Sequence, residues 1–219
     1  MNHLYIHHHL GLGDHFVCNA IIRKLYKTNK FLIILAVKPN NIETVKSLYK
    51  DINISFDIVN SDTEAEFKYK SFNFLRIGFE NCNLKNWESS FYEQIGLDYS
   101  ERYSECYIPR SIENENNLYD SLNINQEYAF CNNECSEGVI DIKIKTNLKK
   151  VFLKKTTKSL LDWIKIIENA SEIHTIDSSV FQLIKNLKLK NKKFFYDIRN
   201  MGFSRTDFTF EDDKWSLIK

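Results

Sequence analysis

The residues best able to do chemistry stand together near the start of the chain, in the stretch Ile6-His7-His8-His9-Leu10-Gly11-Leu12-Gly13-Asp14-His15. This stretch joins an apolar strand pattern to an apolar helix pattern. A glycine-rich turn from strand to helix gathers backbone N–H groups and a helix N-terminus, which favour anions and above all phosphate. Asp14 stands where the helix begins, so its carboxylate either caps free N–H groups or faces a ligand.

A second turn with matched chemistry lies late in the chain, at Thr175-Ile176-Asp177-Ser178-Ser179. Open parallel sheets bind ligands beyond the carboxyl ends of their strands, where helix N-termini point. If the two halves of the chain face each other, both turns line one crevice, with an acceptor at one turn and a phosphorylated donor at the other. N-capping remains the alternative role for Asp177.

The histidines of the first turn are expected to hydrogen-bond a polar ligand rather than to hold a metal. In a strand, His7 and His9 share one face and His8 points to the other. No spacing of Cys, Asp or Glu completes a set of ligands beside them, so no metal site is predicted. We expect His8, His9 and His15 at the mouth of the crevice. His174, before the second turn, is expected to be buried with its hydrogen bonds satisfied.

Hydrophobic periodicity places the first turn in an α/β unit. Apolar runs predict strands, and amphipathic spacing between them predicts helices. The alternation of strand and helix is the signature of an open parallel sheet with right-handed crossovers. The predicted elements are strands at 3–9, 31–37, 54–59 and 73–77, and helices at 14–28, 42–49, 87–96 and 111–122. The aromatic-rich stretch at 80–110 is expected to pack as core and loop, with a turn at Gly96.

A second α/β series is predicted from about residue 126, which gives two domains, 1–124 and 125–219. One of its strands, 139–144, rests on an alternation of apolar and charged residues that is typical of an edge strand. Trp215 and Ile218 are expected to dock back onto this half. Its predicted elements are strands at 128–131, 139–144, 151–153, 172–176 and 193–196, and helices at 160–167 and 177–187.

Composition indicates a globular protein and argues against several classes. With 219 residues, 43% of them hydrophobic, the chain can bury a sizeable core. A net charge of +1 gives no overall field that points to nucleic acid. No apolar stretch approaches a membrane span, and the first residues carry no signal-peptide pattern, so a cytoplasmic location is expected. Five cysteines without framework spacing fit reduced thiols.

Beyond the two turns, several stretches follow one another in a set order. They are His8–His15 with Cys18-Asn19 and Ile22-Arg23, then Leu75–Phe79, Ser90–Gly96, Tyr107–Arg110 and Glu168–Ser179. In this order they resemble a group of small GT-B-like glycosyltransferases, a group that is distantly similar to lipopolysaccharide heptosyltransferases. The resemblance spans nearly the whole chain, which makes it far more specific than the two glycines alone.

The resemblance implies an α/β, GT-B-like fold of two Rossmann-like halves, with mainly parallel sheets that face a cleft. It also implies no metal, and no cofactor other than a nucleotide-sugar as co-substrate. In heptosyltransferases the Asp after the first glycine-rich turn is the proposed base that activates the acceptor hydroxyl, and Asp14 matches that position. The acceptor or substrate would then lie against the neighbouring residues His9, Gly11, Gly13 and His15.

In the same family, an Asp-Ser/Thr-Gly turn of the second half cradles the donor diphosphate. That turn matches Asp177, Ser178 and Ser179, although the third position is Ser rather than Gly, and the His expected a few residues later is Gln182. The segment 131–138 carries two acids and no cation where relatives carry a phosphate-binding loop. Arg110 and Arg199 are the candidate cations for the leaving diphosphate.

The leading hypothesis is a metal-independent glycosyltransferase that moves a sugar from a nucleotide-activated donor to a glycan or lipid-linked acceptor. It has no transmembrane segment, although peripheral membrane contact is compatible with such an acceptor. The alternative is a non-catalytic GT-B-like protein that binds a nucleotide or a glycan, which the acidic segment 131–138 favours. A nucleotide-binding oxidoreductase is disfavoured, because Gly11-x-Gly13 lacks a third glycine and no acidic residue ends the second strand.

Overall fold

The computed structural model describes residues 3–80, 82–83, 86–198 and 215–218. Within these residues the chain forms two compact α/β units, 3–109 and 110–218. The second unit begins at Arg110, ahead of a helix at Ile112–Ser121 that packs inside it. The boundary predicted from the sequence, at 124/125, stands after this helix.

The first unit is built on a four-stranded sheet with the order β3-β2-β1-β4, in which every neighbouring pair is parallel. Each strand ends within one residue of the predicted bounds. The strands are β1 His3–His8, β2 Leu32–Val37, β3 Ser55–Ile58 and β4 Phe74–Ile77. The helices are α1 Leu12–Val17, α2 Asn19–Thr28, α3 Ile42–Leu48, α4 Asp62–Tyr69, α5 Trp87–Glu93 and α6 Glu101–Ser104, with a short 3-10 turn at Pro39–Asn41.

The single helix predicted over 14–28 is divided into α1 and α2 at Cys18. This residue has a ψ of 3°, outside the helical region, and is fully buried. Backbone hydrogen bonds continue across it, from the Cys18 N–H to the Asp14 carbonyl at 2.8 Å and from the Ile22 N–H to the Cys18 carbonyl at 3.0 Å. The apolar spacing therefore runs through the bend unchanged, and the pattern does not reveal it.

The aromatic-rich stretch packs into the first unit, as predicted. Phe91 and Tyr92 of α5 are buried, and the Tyr92 hydroxyl donates to the Val17 carbonyl at 2.7 Å. Gly96 makes the predicted turn after α5 with a φ of +70°. Arg102 and Glu88 form a buried ion pair in this stretch. Each charge compensates the other, because an isolated charge at a buried position would be costly.

The second unit is built on a five-stranded sheet with the order β11-β10-β9-β5-β8, again parallel throughout. Its strands, with a small antiparallel hairpin of β6 and β7, are β5 Tyr128–Asn132, β6 Glu134–Cys135, β7 Gly138–Val139, β8 Lys149–Phe152, β9 Glu172–Ile176, β10 Lys192–Tyr196 and β11 Trp215–Ile218. Its helices are α7 Ile112–Ser121, α8 Ile164–Glu168 after a 3-10 turn at Leu160–Trp163, and α9 Ser179–Asn186.

The prediction of a strand at 139–144 is wrong beyond residue 139. Only Val139 lies in a strand, and residues 140–146 have no ladder partner. This segment instead runs extended across a face of the sheet, where Ile140, Ile142 and Ile144 pack with a core cluster that includes Ala129. The alternate side chains are exposed. A period of two therefore marks packing onto a sheet face in this segment, rather than pairing at a sheet edge.

Trp215 docks onto the second unit, as expected, through β11. This strand pairs in parallel with β10, and the Trp215 ring lies 5.2 Å from Phe181 and 6.5 Å from Phe195 between ring centroids. In the part of the chain that the structure describes, no helix is both long enough and apolar enough to cross a membrane.

Candidate functional site

The first unit offers a ligand site where β1 and β4 end. The chain leaves β1 to build β2 and β3 on one side, and later returns to build β4 on the other side of β1. In open α/β sheets, the crevice beyond the carboxyl ends of such a strand pair is the usual ligand site. The turn 9–14 follows β1, and Gly78 and Phe79 follow β4, so both turns meet at this point.

Asp14 lies in the first turn of α1, and Gly11 is the residue that precedes this helix. The Asp14 Oδ2 atom lies only 2.5 Å from the position that a Cβ atom of residue 11 would take. The carboxylate therefore folds back over Gly11, and only a glycine leaves it that space. Gly13 stands between the two in the same turn.

Burial raises the pKa of the Asp14 carboxyl to about 6, and the positive field of His9 acts against this rise. A carboxyl group with a pKa in this range is largely ionised at neutral pH and holds a proton under mildly acidic conditions. It is therefore suited to accept a proton from a hydroxyl group near neutral pH. Perturbed carboxyl groups of this kind cluster at functional sites.

His9 is fixed beside this turn by contacts with the end of β4. Its Nε2 atom lies 2.9 Å from the Gly78 carbonyl oxygen, and because a carbonyl can only accept, Nε2 carries the proton. The ring stacks on Phe79 at 4.1 Å and lies 5.9 Å from Phe91, between centroids. Gly78 has a φ of +88°, and a Cβ atom there would overlap the Phe91 ring. Position 78 therefore requires glycine.

His8 and His15 were expected at the mouth of the crevice, and for these two histidines the expectation is wrong, because both side chains are completely buried. Their rings meet edge to face with centroids 4.5 Å apart. Among the described residues, His8 Nε2 and both ring nitrogens of His15 have no hydrogen-bond partner. Burial lowers the pKa of His8 to about 4 and that of His15 well below its usual value, so both rings are neutral. The structure thus brings His9, Gly11, Gly13 and Asp14 together and places His15 below them.

Phe79 was not singled out as a site residue by the sequence reasoning, yet it connects the side chains at this end of the sheet. Its ring lies 4.6 Å from the His7 ring, and the Arg76 guanidinium lies over it at 4.7 Å. His7 in turn contacts Asp62 through Nε2 at 2.8 Å. The signal that could have found Phe79 is Gly78, a glycine directly after a predicted strand.

The second unit has an equivalent point where β5 and β9 end, because β8 and β10 are built on opposite sides of this pair. Asn132 closes β5, and its Nδ2 atom donates to Ser178 Oγ at 2.9 Å. Asn132 is buried, and its Oδ1 atom has no hydrogen-bond partner among the described residues. Asn132 was also missed from the sequence, where nothing distinguishes it from Asn133.

The second turn begins α9 at the same edge, with its three predicted residues half-buried. Ser178 is the N-cap of α9, since its Oγ atom accepts from the Phe181 N–H at 3.4 Å. N-capping, the alternative role predicted for Asp177, is therefore performed by Ser178. Ser179 is the first helical residue. The N–H groups of this helix end lie at the carboxyl edge of the sheet.

The candidate cations are arranged differently from expectation. Arg110 faces two carboxylates, with its Nε atom 2.6 Å from Glu115 and its Nη1 atom 2.8 Å from Glu168. Both carboxylates contact it in a bidentate manner, so Arg110 braces the second unit. The segment 131–138 does have a cation beside it, because Lys155 forms an ion pair with Glu134 at 2.5 Å. Arg199 lies outside the described residues.

His174 is buried with both ring nitrogens paired, as predicted. Its Nδ1 atom lies 3.0 Å from the Tyr196 hydroxyl and its Nε2 atom 3.2 Å from Glu172. The five cysteines are free thiols. Over the described ranges, no three His, Cys, Asp or Glu side chains come together as metal ligands.

Comparison with known proteins identifies the fold as GT-B-like. A family 9 glycosyl transferase from Veillonella parvula matches 99% of this chain and 86% of its own, with a TM-score of 0.60 and 10% identity. The ADP-heptose lipopolysaccharide heptosyltransferase II of E. coli matches 100% of this chain and 90% of its own, with a TM-score of 0.52 and 9% identity. Similarity in fold to the heptosyltransferases, expected from the sequence, is thereby confirmed.

A third structure of this fold is the iron-containing dodecameric glycosyltransferase TibC from enterotoxigenic E. coli. The match covers 88% of this chain and 58% of TibC, with a TM-score of 0.56 and 11% identity. TibC has also been solved in complex with ADP-D-beta-D-heptose. No protein-family model matches the chain.

One curated protein shows sequence similarity of a different kind. An adenylate kinase from Buchnera aphidicola subsp. Cinara cedri is 28% identical over 189 residues, which cover 84% of this chain and 69% of the kinase. Kinases of the P-loop class bind ATP phosphates with Gly-x-x-x-x-Gly-Lys-Ser/Thr. No two glycines in this chain stand five residues apart, so the loop is absent.

Proposed function

We propose that this chain is a glycosyltransferase that moves a sugar from a nucleotide-activated donor to a hydroxyl group of a glycan or lipid-linked acceptor. One observation carries the proposal: in a GT-B-like fold, a buried carboxyl group with a raised pKa stands where β1 and β4 end. That is where an open α/β sheet binds its ligand.

Asp14 is the proposed base. The acceptor hydroxyl attacks the anomeric carbon of the donor, and its proton passes to an Asp14 carboxylate oxygen as the new C–O bond forms. The bond from the anomeric carbon to the diphosphate oxygen breaks, and its electron pair leaves with the diphosphate. A single displacement of this kind inverts the anomeric centre. His9, Gly11 and Gly13 form the wall against which the acceptor lies, and His15 supports that wall from below.

The donor diphosphate is assigned to the turn 177–179 of the second unit. Two features support this assignment: the N-terminus of α9, and the polar pair Asn132 and Ser178. Backbone N–H groups stabilise the negative charge that develops on a leaving diphosphate.

A nucleoside-diphosphate heptose is the first donor class to test, because a protein of the same fold, TibC, has been solved with ADP-D-beta-D-heptose. The proposal involves no metal.

A thermal-shift screen against nucleoside diphosphates and nucleotide-sugars tests the donor side. At least one of these compounds should raise the melting temperature of the wild-type chain. With the donor found, we expect Asp14→Asn to bind it and to transfer sugar at least 100-fold more slowly, the usual scale for loss of a general base. Asp120→Asn, an exposed carboxyl on α7, is the matched control and should keep the wild-type rate.

Two results would overturn the proposal. If no nucleotide stabilises the wild-type chain, the donor site is absent. If Asp14→Asn transfers sugar at the wild-type rate, the base is a different group.

The second candidate function is binding without transfer, of a nucleotide or of a glycan. The commitment of Arg110 to Glu115 and Glu168 favours it, because these two carboxylates already neutralise the guanidinium charge. A ligand that stabilises the wild-type chain and Asp14→Asn equally, with no transfer to any acceptor by either, would establish this alternative.

A further inference from the structure

A dense run of lysines surrounds β8, the edge strand of the second sheet. Seven lysines stand between residues 143 and 158, and no acidic residue occurs from 142 to 161. All seven side chains are exposed. The whole chain carries a net charge of only +1, so this segment, with seven lysines and no acidic residue, has a strong local excess of positive charge. We call these residues the lysine edge: Lys143, Lys145, Lys149, Lys150, Lys154, Lys155 and Lys158.

The structure shows why these side chains point to solvent. Ile142 and Ile144 pack down onto the sheet, so Lys143 and Lys145 stand on the outer side of the same extended segment. Lys149 and Lys150 open β8, which has no strand on its outer side in the described part of the sheet. The remaining three follow the end of β8.

Most of this charge is not used within the second unit. Lys155 pairs with Glu134, and Lys150 donates to the Ile144 carbonyl at 3.0 Å. The other five lysines have no hydrogen-bond or ion-pair partner among the described residues. Lysines on an edge strand prevent unwanted strand addition, and Lys149 and Lys150 are placed to do so. The lysines outside the strand need a different explanation.

We propose that the lysine edge binds the surface of an anionic lipid membrane. Lysine is a compact point charge that suits a diffuse layer of anionic headgroups, and each lysine near such a surface contributes on the order of 1 kcal/mol. Phe152, in the middle of this edge, is 38% exposed and adds an apolar contact.

Nucleic acid fits this surface less well than lipid does. Arginine, whose planar fork fits both phosphate and the guanine edge, is absent from residue 111 to residue 198. Binding to single strands relies on aromatic side chains that stack on bases, and Phe152 is the single aromatic residue between 143 and 158. The inference is independent of the proposed transfer reaction, because vesicle binding requires no donor.

Vesicle flotation with the full chain tests the proposal. The wild-type chain should bind vesicles of equal parts phosphatidylcholine and phosphatidylglycerol, should not bind vesicles of phosphatidylcholine alone, and should dissociate in high salt. The triple variant Lys143→Gln, Lys145→Gln, Lys149→Gln should bind roughly 100-fold more weakly, about fivefold for each lysine.

The matched control changes the same charge elsewhere in the second unit. Lys188→Gln, Lys190→Gln, Lys192→Gln removes three exposed lysines that are distant in the sheet order from β8. We expect it to bind within a few-fold of wild type. Circular dichroism confirms that both variants fold.

The proposal fails if the wild-type chain binds both kinds of vesicle equally, or neither. Equal loss in the control triple would show that total charge, not the lysine edge, governs binding. If the lysine edge instead binds duplex or single-stranded DNA more tightly than the mixed vesicles, its partner is nucleic acid and the lipid assignment is wrong.

Discussion

Asp14 and His9 form the most informative pair of side chains in the first unit. The carboxyl group is held in a buried turn that raises its pKa to about 6, and the imidazole is fixed by the Gly78 carbonyl and the Phe79 ring. The positive form of His9 opposes the effect of burial on the Asp14 carboxyl. The ionisation of the proposed base therefore depends first on burial and second on a neighbour that is itself held in place.

Replacement of His9 by glutamine should raise the pKa of Asp14 further, by roughly one unit. The amide can still donate to the Gly78 carbonyl, but it carries no charge. The pKa is measured by NMR titration of carbon-13-labelled aspartate, with the Asp14 signal assigned from Asp14→Asn. His3→Gln is the control, because His3 is exposed at the start of β1. An unchanged Asp14 pKa in His9→Gln would show that His9 does not lower the pKa of Asp14.

Gly78 should tolerate substitution far less well than Gly96. Both have a positive φ, but a Cβ atom at position 78 would overlap Phe91, whereas a Cβ atom at position 96 meets nothing within 4 Å. We expect Gly78→Ala to lower the free energy of unfolding by roughly 2 to 4 kcal/mol and Gly96→Ala by about 1 to 2 kcal/mol. Urea denaturation of both variants checks the difference, and equal losses would contradict the overlap.

At the scale of elements, the N-terminus of α9 depends on Ser178. This side chain caps the helix and also accepts from Asn132 Nδ2. Ser178→Ala should therefore cost about 1 kcal/mol for the lost cap and a smaller amount for one hydrogen bond lost from Asn132 Nδ2, which keeps its contacts with the Glu134 carbonyl at 3.3 Å and Thr175 Oγ1 at 3.4 Å. Ser179→Ala, one residue into the helix, should stay within about 0.5 kcal/mol of wild type in urea denaturation. A larger loss of stability in Ser179→Ala than in Ser178→Ala would show that Ser178 is not the N-cap of α9.

The sequence was most informative where strands are buried on both faces. β2 is a continuous apolar run, and its short length and the following Pro39 favour a buried strand over a buried helix. It was least informative where one pattern has two structural causes, as at 139–144, where alternation reflects packing on a sheet face.

The site was only partly predictable for a related reason. The glycines and Asp14 are recognisable because a turn at the end of a strand has a characteristic composition. Asn132 and Phe79 act through partners that are distant in sequence, Ser178 and His9, and a single sequence does not show that these pairs meet. The bend at Cys18 is also hidden, because the apolar spacing continues through it.

At the scale of the whole molecule, the buried histidines should make the first unit sensitive to acid. The pKa of His8 in the folded chain, about 4, lies below its ordinary value of 6.5, and burial also lowers the pKa of His15 well below its ordinary value. The contribution of these neutral histidines to the free energy of unfolding is fully present above pH 6.5. It is lost as the pH falls towards 4, because the unfolded chain binds protons at a higher pH than the folded chain does. For His8 alone the loss is roughly 3 kcal/mol. Asp14 acts in the opposite direction, since its raised pKa favours the folded state as the pH falls through about 6.

The variant His8→Asn isolates this effect. Compared with wild type, its stability should depend less on pH between 6.5 and 4, even though it is less stable at neutral pH. The full chain is unfolded in urea and pulse-labelled by hydrogen exchange, and mass spectrometry then gives an unfolding midpoint for each peptide that covers β1 to β4. These midpoints report on the first unit alone. A parallel pH dependence in variant and wild type would show that other groups dominate.

The segment at 140–146 has a consequence for how this protein can change over evolutionary time. No strand ladder fixes residues 140–146 against the sheet, and hydrogen bonds hold this segment at Ile140, to Asn133, and at Ile144, to Lys150. The alternation of Ile140, Ile142 and Ile144 therefore largely sets which side chains face inward. Insertion or deletion of one residue would turn every isoleucine beyond it outward and bring lysines onto the core. A change of two residues would preserve the alternation. Among descendants of this sequence, length differences in this segment should therefore come in even numbers.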